Sequence, residues 1–441
     1  NKIPKKLWSR PNLKILDWSC GKGELLVAIK DKLTSLGMSE EKIRDSLEYG
    51  DINQLNVDIT NKVLGFDKGF CYTLNRNDPK DKNVFRYLEE KLNGMKFDIV
   101  LTNPPYQWAS DDSGRDTKNN RENLWTRGVT MSFERLTKDD GYVAMVTPPS
   151  WRTASYDYGN TSILNDYFRP NNVISVNLDE CKKHFKVGSD FSYWIVEKGT
   201  KGIKTELVTP AGTNEVNLNS DTFNYGLPRD YQSDVIDLVG EFLNENRKKI
   251  KLSAQYHGAV DPSWLRTNDK LDKELSDEEI IEKYKLDKNN ITKIIKSKKG
   301  KNIFFKGKYK QYHTLATQEY TYCDETSSKD FSLFNKPKAM LSLSGTYKWI
   351  ADASGKIVIG NYVLSRVVEQ EEKIEYIMQV LNSSVYQFMC HQFKSSGFIN
   401  GKFLSILPEL DFTRPWTEDQ IKDEFKVSDR ISKILDEEYD N

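Results

Sequence analysis

The chain has 441 residues, a length that predicts two or three domains, and its 65 basic side chains balance its 65 acidic ones. Five cysteines and four histidines are scattered without paired spacing, which argues against a disulfide framework or a zinc site and predicts no metal. No apolar run reaches the ~18 residues of a membrane span and no signal peptide is visible, so we expect a cytoplasmic protein with no membrane part.

The first two hundred residues alternate between predicted strands and predicted helices. The strands are seven short apolar runs: Leu13–Asp17, Leu47–Ile52, Phe70–Leu74, Phe97–Leu101, Gly141–Val146, Val173–Leu178 and Tyr193–Glu197. The predicted helices lie between them: Glu24–Leu36, Asn56–Leu64, Val84–Leu92 and Asn123–Leu136. This alternation predicts the α/β fold class, with a mostly parallel, Rossmann-like sheet and helices on both faces.

The pattern changes after about residue 199, where segments become shorter and more polar. Solvated helices are predicted at Ser276–Tyr284 and Lys288–Lys299, hairpins within Phe331–Val363, and an amphipathic helix at Ile374–His391. Thr417 is a predicted N-cap. We therefore predict an α/β catalytic domain over residues 1–205 and a mixed α+β domain over residues 225–441.

A glycine turn follows the first predicted strand, in the stretch LDWSCGKGELL. Asp17 ends the strand, Cys20, Gly21 and Gly23 form the turn, and a helix follows directly. Ligands of doubly wound sheets lie beyond the carboxyl ends of the strands, and glycines let the backbone approach them closely. A dinucleotide turn would carry a third glycine where Leu26 stands, and a phosphate-binding Walker loop would end in Lys-Ser or Lys-Thr. The pattern favours S-adenosylmethionine, whose amino acid part an acid at the strand end can hold.

Two further acids follow the next predicted strands. Asp51 stands where a carboxylate could accept both ribose hydroxyls of the cofactor, although a turn aspartate before Asn53 is the alternative interpretation. Asp78 could accept from the adenine amino group of the cofactor, or act in a turn.

The fourth predicted strand, Phe97–Leu101, ends in Asn103, Pro104, Pro105 and Tyr106. Two adjacent prolines end the strand and fix the direction of the neighbouring carbonyl groups. An exocyclic amine is a poor nucleophile because its lone pair is delocalised, and two acceptors aimed at its N–H bonds would draw the nitrogen toward tetrahedral geometry. The Asn103 carboxamide and the Pro104 carbonyl are such acceptors, and the Tyr106 ring is a surface on which a base can stack.

At these motifs the sequence resembles the gamma-type, Taq-like adenine-N6 DNA methyltransferases of type II and IIG restriction–modification systems and of phages. LDWSCGKGELL is similar to their cofactor motif, with Trp18 where proline is usual, and Asn-Pro-Pro-Tyr is their catalytic motif as it stands. GYVAMVTPPSW resembles their fifth strand, and KHFKVGSDFSYWIV their late hairpin, which implies that Phe185 lies against the flipped base. The family carries a cofactor segment before the first strand, and we expect that segment to be missing here.

The resemblance implies double-stranded DNA as partner, a target-recognition role for residues 225–441, and a flipped-out adenine between Tyr106 and Phe185. The segment 288–310 contains nine lysines and no acid, interleaved with aromatic residues, which predicts a local surface for phosphate. The candidate DNA contacts are Lys298, Lys299, Lys301, Lys306, Lys308, Lys310, Arg115 and Arg121. We expect a monomer on DNA in a bacterial or phage-infected cell, with a nuclease or defence-system partner possible.

Three alternatives stay open from the sequence. Protein glutamine-N5 methyltransferases of release factors share Asn-Pro-Pro-Tyr, because a glutamine amide poses the same lone-pair problem, but about 240 residues follow the sheet here. Cytosine-N4 methylation is chemically close, although those enzymes prefer Ser-Pro-Pro. A catalytically silent DNA-specificity subunit is the third, against which the intact motifs argue.

Overall fold

The computed structural model of the protein describes residues 2–75, 83–106, 124–152, 162–178, 181, 191–209, 212–220, 223, 226–252, 264–267, 270–297, 300–306, 309–312, 320–323, 333–342, 348–359, 363–368, 373–394 and 401–439. The chain forms two compact units, Asn1–Gln232 and Ser233–Asn441. Within the described residues, no helix has the length and apolar character needed to cross a membrane.

The first unit is built on a nine-stranded sheet in the order β3-β2-β1-β4-β5-β7-β6-β8-β9. The strands are β1 Ile15–Asp17, β2 Leu47–Asp51, β3 Phe70–Cys71, β4 Phe97–Thr102, β5 Thr137–Thr147, β6 Asn172–Asn177, β7 Ser192–Glu197, β8 Thr205–Thr209 and β9 Gly212–Val216. Neighbouring strands from β3 to β5 are parallel, and β7 is antiparallel to both β5 and β6. The α/β fold class predicted from the alternation is confirmed.

The helices of this unit are α1 Lys5–Trp8, α2 Glu24–Ser35, α3 Glu40–Ser46, α4 Gln54–Leu64, α5 Arg86–Leu92 and α6 Leu124–Met131, followed by a π-helical turn Ser132–Leu136. Apolar strand residues such as Ile15, Leu47 and Ile99 pack with Leu26 and Leu33 of α2 in one buried cluster. The unit extends past residue 205 because β8 pairs with β6 and β9 pairs with β8. The predicted division of roles between residues 1–205 and 225–441 stays a prediction.

The described residues of the second unit form three small sheets, each of three strands, in the orders β10-β12-β11, β14-β13-β17 and β16-β15-β18. Its strands are β10 Trp264–Arg266, β11 Ile291–Ser297, β12 Gly300–Phe305, β13 Tyr309–Tyr312, β14 Tyr320–Cys323, β15 Lys338–Ser342, β16 Ile350–Asp352, β17 Val358–Ile359 and β18 Val363–Val367. Its helices are α7 Ser233–Phe242, α8 Asp277–Lys283, α9 Ile374–Leu381, α10 Ser384–Gln392, α11 Gly401–Leu404, α12 Glu418–Glu424 and α13 Asp429–Glu438.

Two predicted helices of this unit are wrong in part. Within Lys288–Lys299, a short 3₁₀ turn is followed by strand β11, because the β-branched side chains of ITKIIKS suit a pleated strand. The predicted helix Ile374–His391 is two helices, since the hydroxyl of Ser383 accepts from the amide of Tyr386 and starts a new helix there. The N-cap at Thr417 is confirmed, with Gln420 completing a capping box.

Candidate functional site

One edge of the large sheet collects the polar groups that end its parallel strands. Strand β1 pairs in parallel with β2 on one side and with β4 on the other, and β4 pairs in parallel with β5. Asp17, Asp51 and Asn103 therefore stand at the carboxyl ends of three adjacent strands. This is the edge at which doubly wound sheets bind their ligands.

The glycine turn between β1 and α2 is held by hydrogen bonds to its neighbours. The Gly21 amide donates to Asp51 Oδ2 at 3.0 Å, and the Thr60 hydroxyl donates to the Gly21 carbonyl at 3.1 Å. The Cys20 amide donates to the Gly50 carbonyl at 3.0 Å. Gly23 has φ +90°, and a Cβ there would lie 3.1 Å from Thr60 Cγ2. The left-handed backbone conformation favours glycine at position 23, and a Cβ there would also crowd the Thr60 side chain.

Trp18 anchors the start of the turn. It stands where proline is usual in the family that the sequence resembles. Its indole is fully buried, its Nε1 donates to the Ser132 hydroxyl at 3.1 Å, and its ring meets Phe85 at 5.1 Å between centroids. The Tyr72 hydroxyl donates to the Trp18 carbonyl at 2.7 Å. The turn is thus tied to the π-helical turn after α6 and to Tyr72, which follows β3, as well as to β2.

The Asp51 carboxylate, predicted to hold a ribose, is already engaged in the protein. Besides the Gly21 amide, it accepts from the Asn53 amide at 2.9 Å and from Asn56 Nδ2 at 3.1 Å through Oδ1. Both alternatives drawn from the sequence, a turn aspartate and a ligand group, remain compatible with this geometry, since a carboxylate offers about four acceptor positions and three are used.

Asp17 is 1% exposed, and its pKa is raised to about 7. Burial is the main cause, partly offset by the Thr102 hydroxyl and the Ser19 amide, while the charges of Asp51 and Glu24 raise the pKa further. None of these groups is a cation. A buried carboxylate without a cation is stabilised in its charged form by a positively charged ligand, so the site fits a cofactor that carries an ammonium group.

Cys20 lies within the same turn, and its thiol is buried. It is 4% exposed, its Sγ lies 3.7 Å from the Thr60 hydroxyl, and burial raises its pKa to about 12. Its side chain therefore packs the turn against α4.

The corner after β4 brings Asn103 and Tyr106 together. The Tyr106 hydroxyl donates a hydrogen bond to Asn103 Oδ1. The centroids of the Tyr106 and Phe191 rings lie 4.9 Å apart, with an interplanar angle of 31°. Pro104 is buried, whereas Asn103 and Tyr106 are half-buried. The corner is a partly buried polar site at the end of β4, beside the strand that leads into the glycine turn.

Sequence reasoning did not single out Phe191. It precedes β7, and because β7 is antiparallel, its first residue Ser192 pairs with Thr147 at the end of β5. Phe191 is thereby brought to the ligand-binding edge. The available signal was the aromatic residue directly before a strand of the late hairpin.

Several predicted site residues lie outside the described part of the chain. These are Asp78, Phe185, Arg115, Arg121, Lys298, Lys299 and Lys308. For Lys310 the structure describes the backbone, within β13. Their assignments stay predictions.

Two of the predicted DNA-contact lysines are described with their side chains, and they differ. Lys301 is 7% exposed, and its ammonium donates to Asp277 Oδ1 at 2.7 Å and to the Leu275 carbonyl at 2.6 Å. Lys306 follows β12 and is exposed. The Lys301 ammonium therefore holds α8 against its sheet, whereas Lys306 is accessible to a ligand.

Residues 28–181 match the family described as Eco57I restriction-modification methylase. This confirms, for that region, the resemblance to restriction–modification methyltransferases that the motifs indicated. The matched region contains the Asn103–Tyr106 corner and begins after the glycine turn. The sequence has no significant match among curated proteins.

Several solved structures are similar to the chain. A modification subunit of a putative type I restriction enzyme from Vibrio vulnificus has 15% identity and a TM-score of 0.33, with 45% of this chain and 43% of that chain covered. A nuclease-deletion mutant of the type ISP restriction–modification enzyme LlaGI, in complex with a DNA substrate mimic, has 12% identity and a TM-score of 0.49, with 96% and 44% covered. The chain thus spans less than half the length of either protein.

Proposed function

We propose that the chain is a site-specific DNA methyltransferase that transfers a methyl group from S-adenosylmethionine to N6 of an adenine flipped out of duplex DNA, in a restriction–modification or phage-protection role. The observation that carries the proposal is the corner Asn103–Tyr106 at the end of β4, directly beside β1, whose end opens into the glycine turn. The family match over residues 28–181 supports it.

S-adenosylmethionine, when bound, supplies an electrophilic methyl group on a sulfonium sulfur. In the proposal, Asp17 holds the cofactor's ammonium group, because that buried carboxylate has no cation in the described protein. Asp51 accepts from the ribose through the acceptor capacity that its three protein hydrogen bonds leave. The glycines of the turn keep the backbone free of side chains on this path.

The chain's part in the reaction is to orient the target amine. Asn103 Oδ1 and the Pro104 carbonyl accept hydrogen bonds from the two N–H groups of the target amine. The lone pair of the amine nitrogen then points away from the base plane. The two prolines set these acceptors in advance, so little reorganisation is needed when charge develops. Tyr106 provides the ring against which the base stacks.

Duplex DNA would be held by cations, most of them in the second unit. Lys306 is exposed beside β12 and stays in the proposed set, together with Lys310 and the candidates outside the described residues. Lys301 is withdrawn from it, since its ammonium is buried against Asp277 and Leu275. Phosphate contacts of this kind supply affinity and salt dependence without reading sequence.

The test is transfer of a labelled methyl group to unmethylated duplex DNA, followed by sequencing of the product to identify the modified base and site. Asn103→Ala should lower the rate by about 10²–10³-fold, as expected for loss of one preorganised polar group at a reacting centre. Asn214→Ala is the matched control, because Asn214 lies in β9, the last strand of the sheet order and five positions from β4, and it should retain transfer.

The alternatives predict different products. Label in protein rather than DNA, lost in Asn103→Ala, would indicate a glutamine methyltransferase. Specific DNA binding without label in either would indicate a silent specificity subunit. Either result would refute the proposal.

A further inference from the structure

The base-binding face of the corner is covered by the protein itself. Tyr106 and Phe191 lie with ring centroids 4.9 Å apart and planes tilted by 31°, within the range of favourable aromatic pairs. The two residues flank different strands, one following β4 and the other preceding β7, and the sheet order β4-β5-β7 brings them to the same edge.

The acceptor that the proposed function needs is also engaged. The Tyr106 hydroxyl donates to Asn103 Oδ1, the oxygen assigned above to the target amine. Burial raises the pKa of Tyr106 well above its ordinary value, so the hydroxyl remains a donor throughout the ordinary pH range. Asn103 therefore has a phenol as its partner in the absence of a base.

A base cannot enter between the two rings as they stand. Stacking requires about 3.5 Å on each face of a base, so two rings that enclose one must be about 7 Å apart. The observed separation is 4.9 Å. Entry of a base at this point must move at least one of the rings and must also replace the phenol at Asn103.

Of the two residues, Phe191 adjoins the more firmly bonded segment of backbone. The neighbouring Ser192 hydroxyl donates to the Thr147 carbonyl at 3.2 Å and accepts from Trp151 Nε1 at 2.9 Å. Trp194 Nε1 donates to the Thr147 hydroxyl at 2.9 Å. These bonds tie the start of β7 to the end of β5, so displacement of Tyr106 requires the smaller rearrangement.

We propose that Phe191 is a positioning residue that acts through Tyr106: it stacks on the Tyr106 ring, keeps the Tyr106 hydroxyl on Asn103, and holds the catalytic corner closed until a target base displaces the ring. This inference rests on the proposed function for the identity of the base. A closed resting state lowers the apparent affinity for DNA, because only the open fraction binds the base. It also keeps the Asn103 acceptor satisfied when no substrate is present.

The closed state is tested first without DNA, by nitration of tyrosines with tetranitromethane and site-resolved mass spectrometry. Phe191→Leu removes the covering ring and should raise the nitration rate of Tyr106 by about two- to tenfold, the range that one aromatic pair implies. Phe191→Tyr keeps a ring at this position and should leave the Tyr106 rate near that of the wild type. Tyr72 is the internal control, since it is 4% exposed and bonded to Trp18, and it must stay protected in every variant.

The consequence is tested with methyl transfer to duplex DNA that carries the site found by sequencing. Phe191→Leu should lower the half-saturating DNA concentration by about two- to tenfold while kcat changes little, and Phe191→Tyr should restore the wild-type value. A residue that only supports folding would lower kcat without improving DNA binding.

Two results would overturn the inference. One is an unchanged nitration rate of Tyr106 in Phe191→Leu while Tyr72 remains protected. The other is a half-saturating DNA concentration that is unchanged or higher in Phe191→Leu. Failure of the wild-type protein to methylate DNA refutes the proposed function instead, and the nitration assay still decides whether Phe191 closes the corner.

Discussion

Replacement of Asp17 by asparagine should stabilise the protein at neutral and alkaline pH while weakening cofactor binding. The Asp17 carboxyl is 1% exposed, and burial is the main reason that its pKa rises from 3.8 to about 7. Asp17→Asn keeps the size of the side chain and an acceptor for the Ser19 amide, which donates to Asp17 Oδ1 at 3.1 Å, but it removes the charge.

The expected change in the free energy of unfolding follows from the raised pKa of Asp17. A rise from 3.8 to about 7 corresponds to about 4 kcal/mol, because each pH unit is worth about 1.4 kcal/mol. Between these two values the folded protein binds more protons than the unfolded chain, so the wild type loses stability as the pH rises from about 4 to about 7. Asp17→Asn should equal the wild type near pH 4 and exceed its free energy of unfolding by up to about 4 kcal/mol near pH 8.

The assay is denaturant unfolding at several pH values, followed by tryptophan fluorescence. Six of the nine tryptophans lie in the first unit, so the signal reports mainly on the sheet that contains Asp17. Calorimetry with S-adenosylmethionine, used as the measure of function, should show weaker binding to Asp17→Asn than to the wild type.

Asp98→Asn is the matched control with the opposite sign. Burial alone would raise the pKa of Asp98, but hydrogen bonds from Lys138, the Lys14 amide and Arg10 outweigh it and hold that pKa below its usual range. Its contribution to stability is therefore present above pH 4 and is lost as the pH falls through the lowered pKa. Asp98→Asn should destabilise the protein near pH 8. If Asp17→Asn is no more stable than the wild type near pH 8, the argument from a buried, uncompensated carboxylate is wrong.

Three further outcomes are expected. At about pH 8, iodoacetamide should alkylate Cys71, which is partly exposed, well before Cys20, whose pKa burial raises to about 12; equal rates by mass spectrometry would contradict the packing of the turn. Lys338→Met should lower the free energy of unfolding by about 3–5 kcal/mol in a denaturant titration. The Lys338 ammonium lies 2.6 Å from Asp352 Oδ2, and the substitution leaves this buried carboxylate without its cation. Lys306→Met should reduce the slope of log binding constant for DNA against log salt concentration by about 0.9, whereas Lys301→Met should leave this slope unchanged. The reverse result would show that the buried lysine is the phosphate contact.

Much of the ligand-binding edge could be predicted from the sequence, because its signals are local. A short apolar run ending in Asp17, Asp51 or Asn103 marks a buried strand and its end, and the glycines and prolines that follow restrict the backbone over a few residues. The alternation of such runs with helices then predicts a parallel sheet, which is what brings separate strand ends to one edge.

Partners that come from distant segments could not be predicted in this way. The lysine-rich segment predicted a cationic surface for phosphate, yet the Lys301 ammonium is buried against Asp277, whereas Lys306, which follows β12, is exposed. The sequence of a lysine-rich segment does not show which of its lysines a neighbouring helix will bury.

By itself, the sequence determined which groups stand at the ends of the first, second and fourth strands, since glycine, proline and apolar periodicity act through the nearest neighbours along the chain. Only the tertiary structure decided what those groups touch: Asp51 is bonded to the Gly21 amide, Asp17 is buried with no cation beside it among the described residues, and Tyr106 lies on Phe191. The Asp51 contact joins the ends of the parallel neighbours β1 and β2, whereas the antiparallel strand β7 brings Phe191 to Tyr106. Such contacts depend on which strands lie side by side, and a local pattern along the chain does not specify that order.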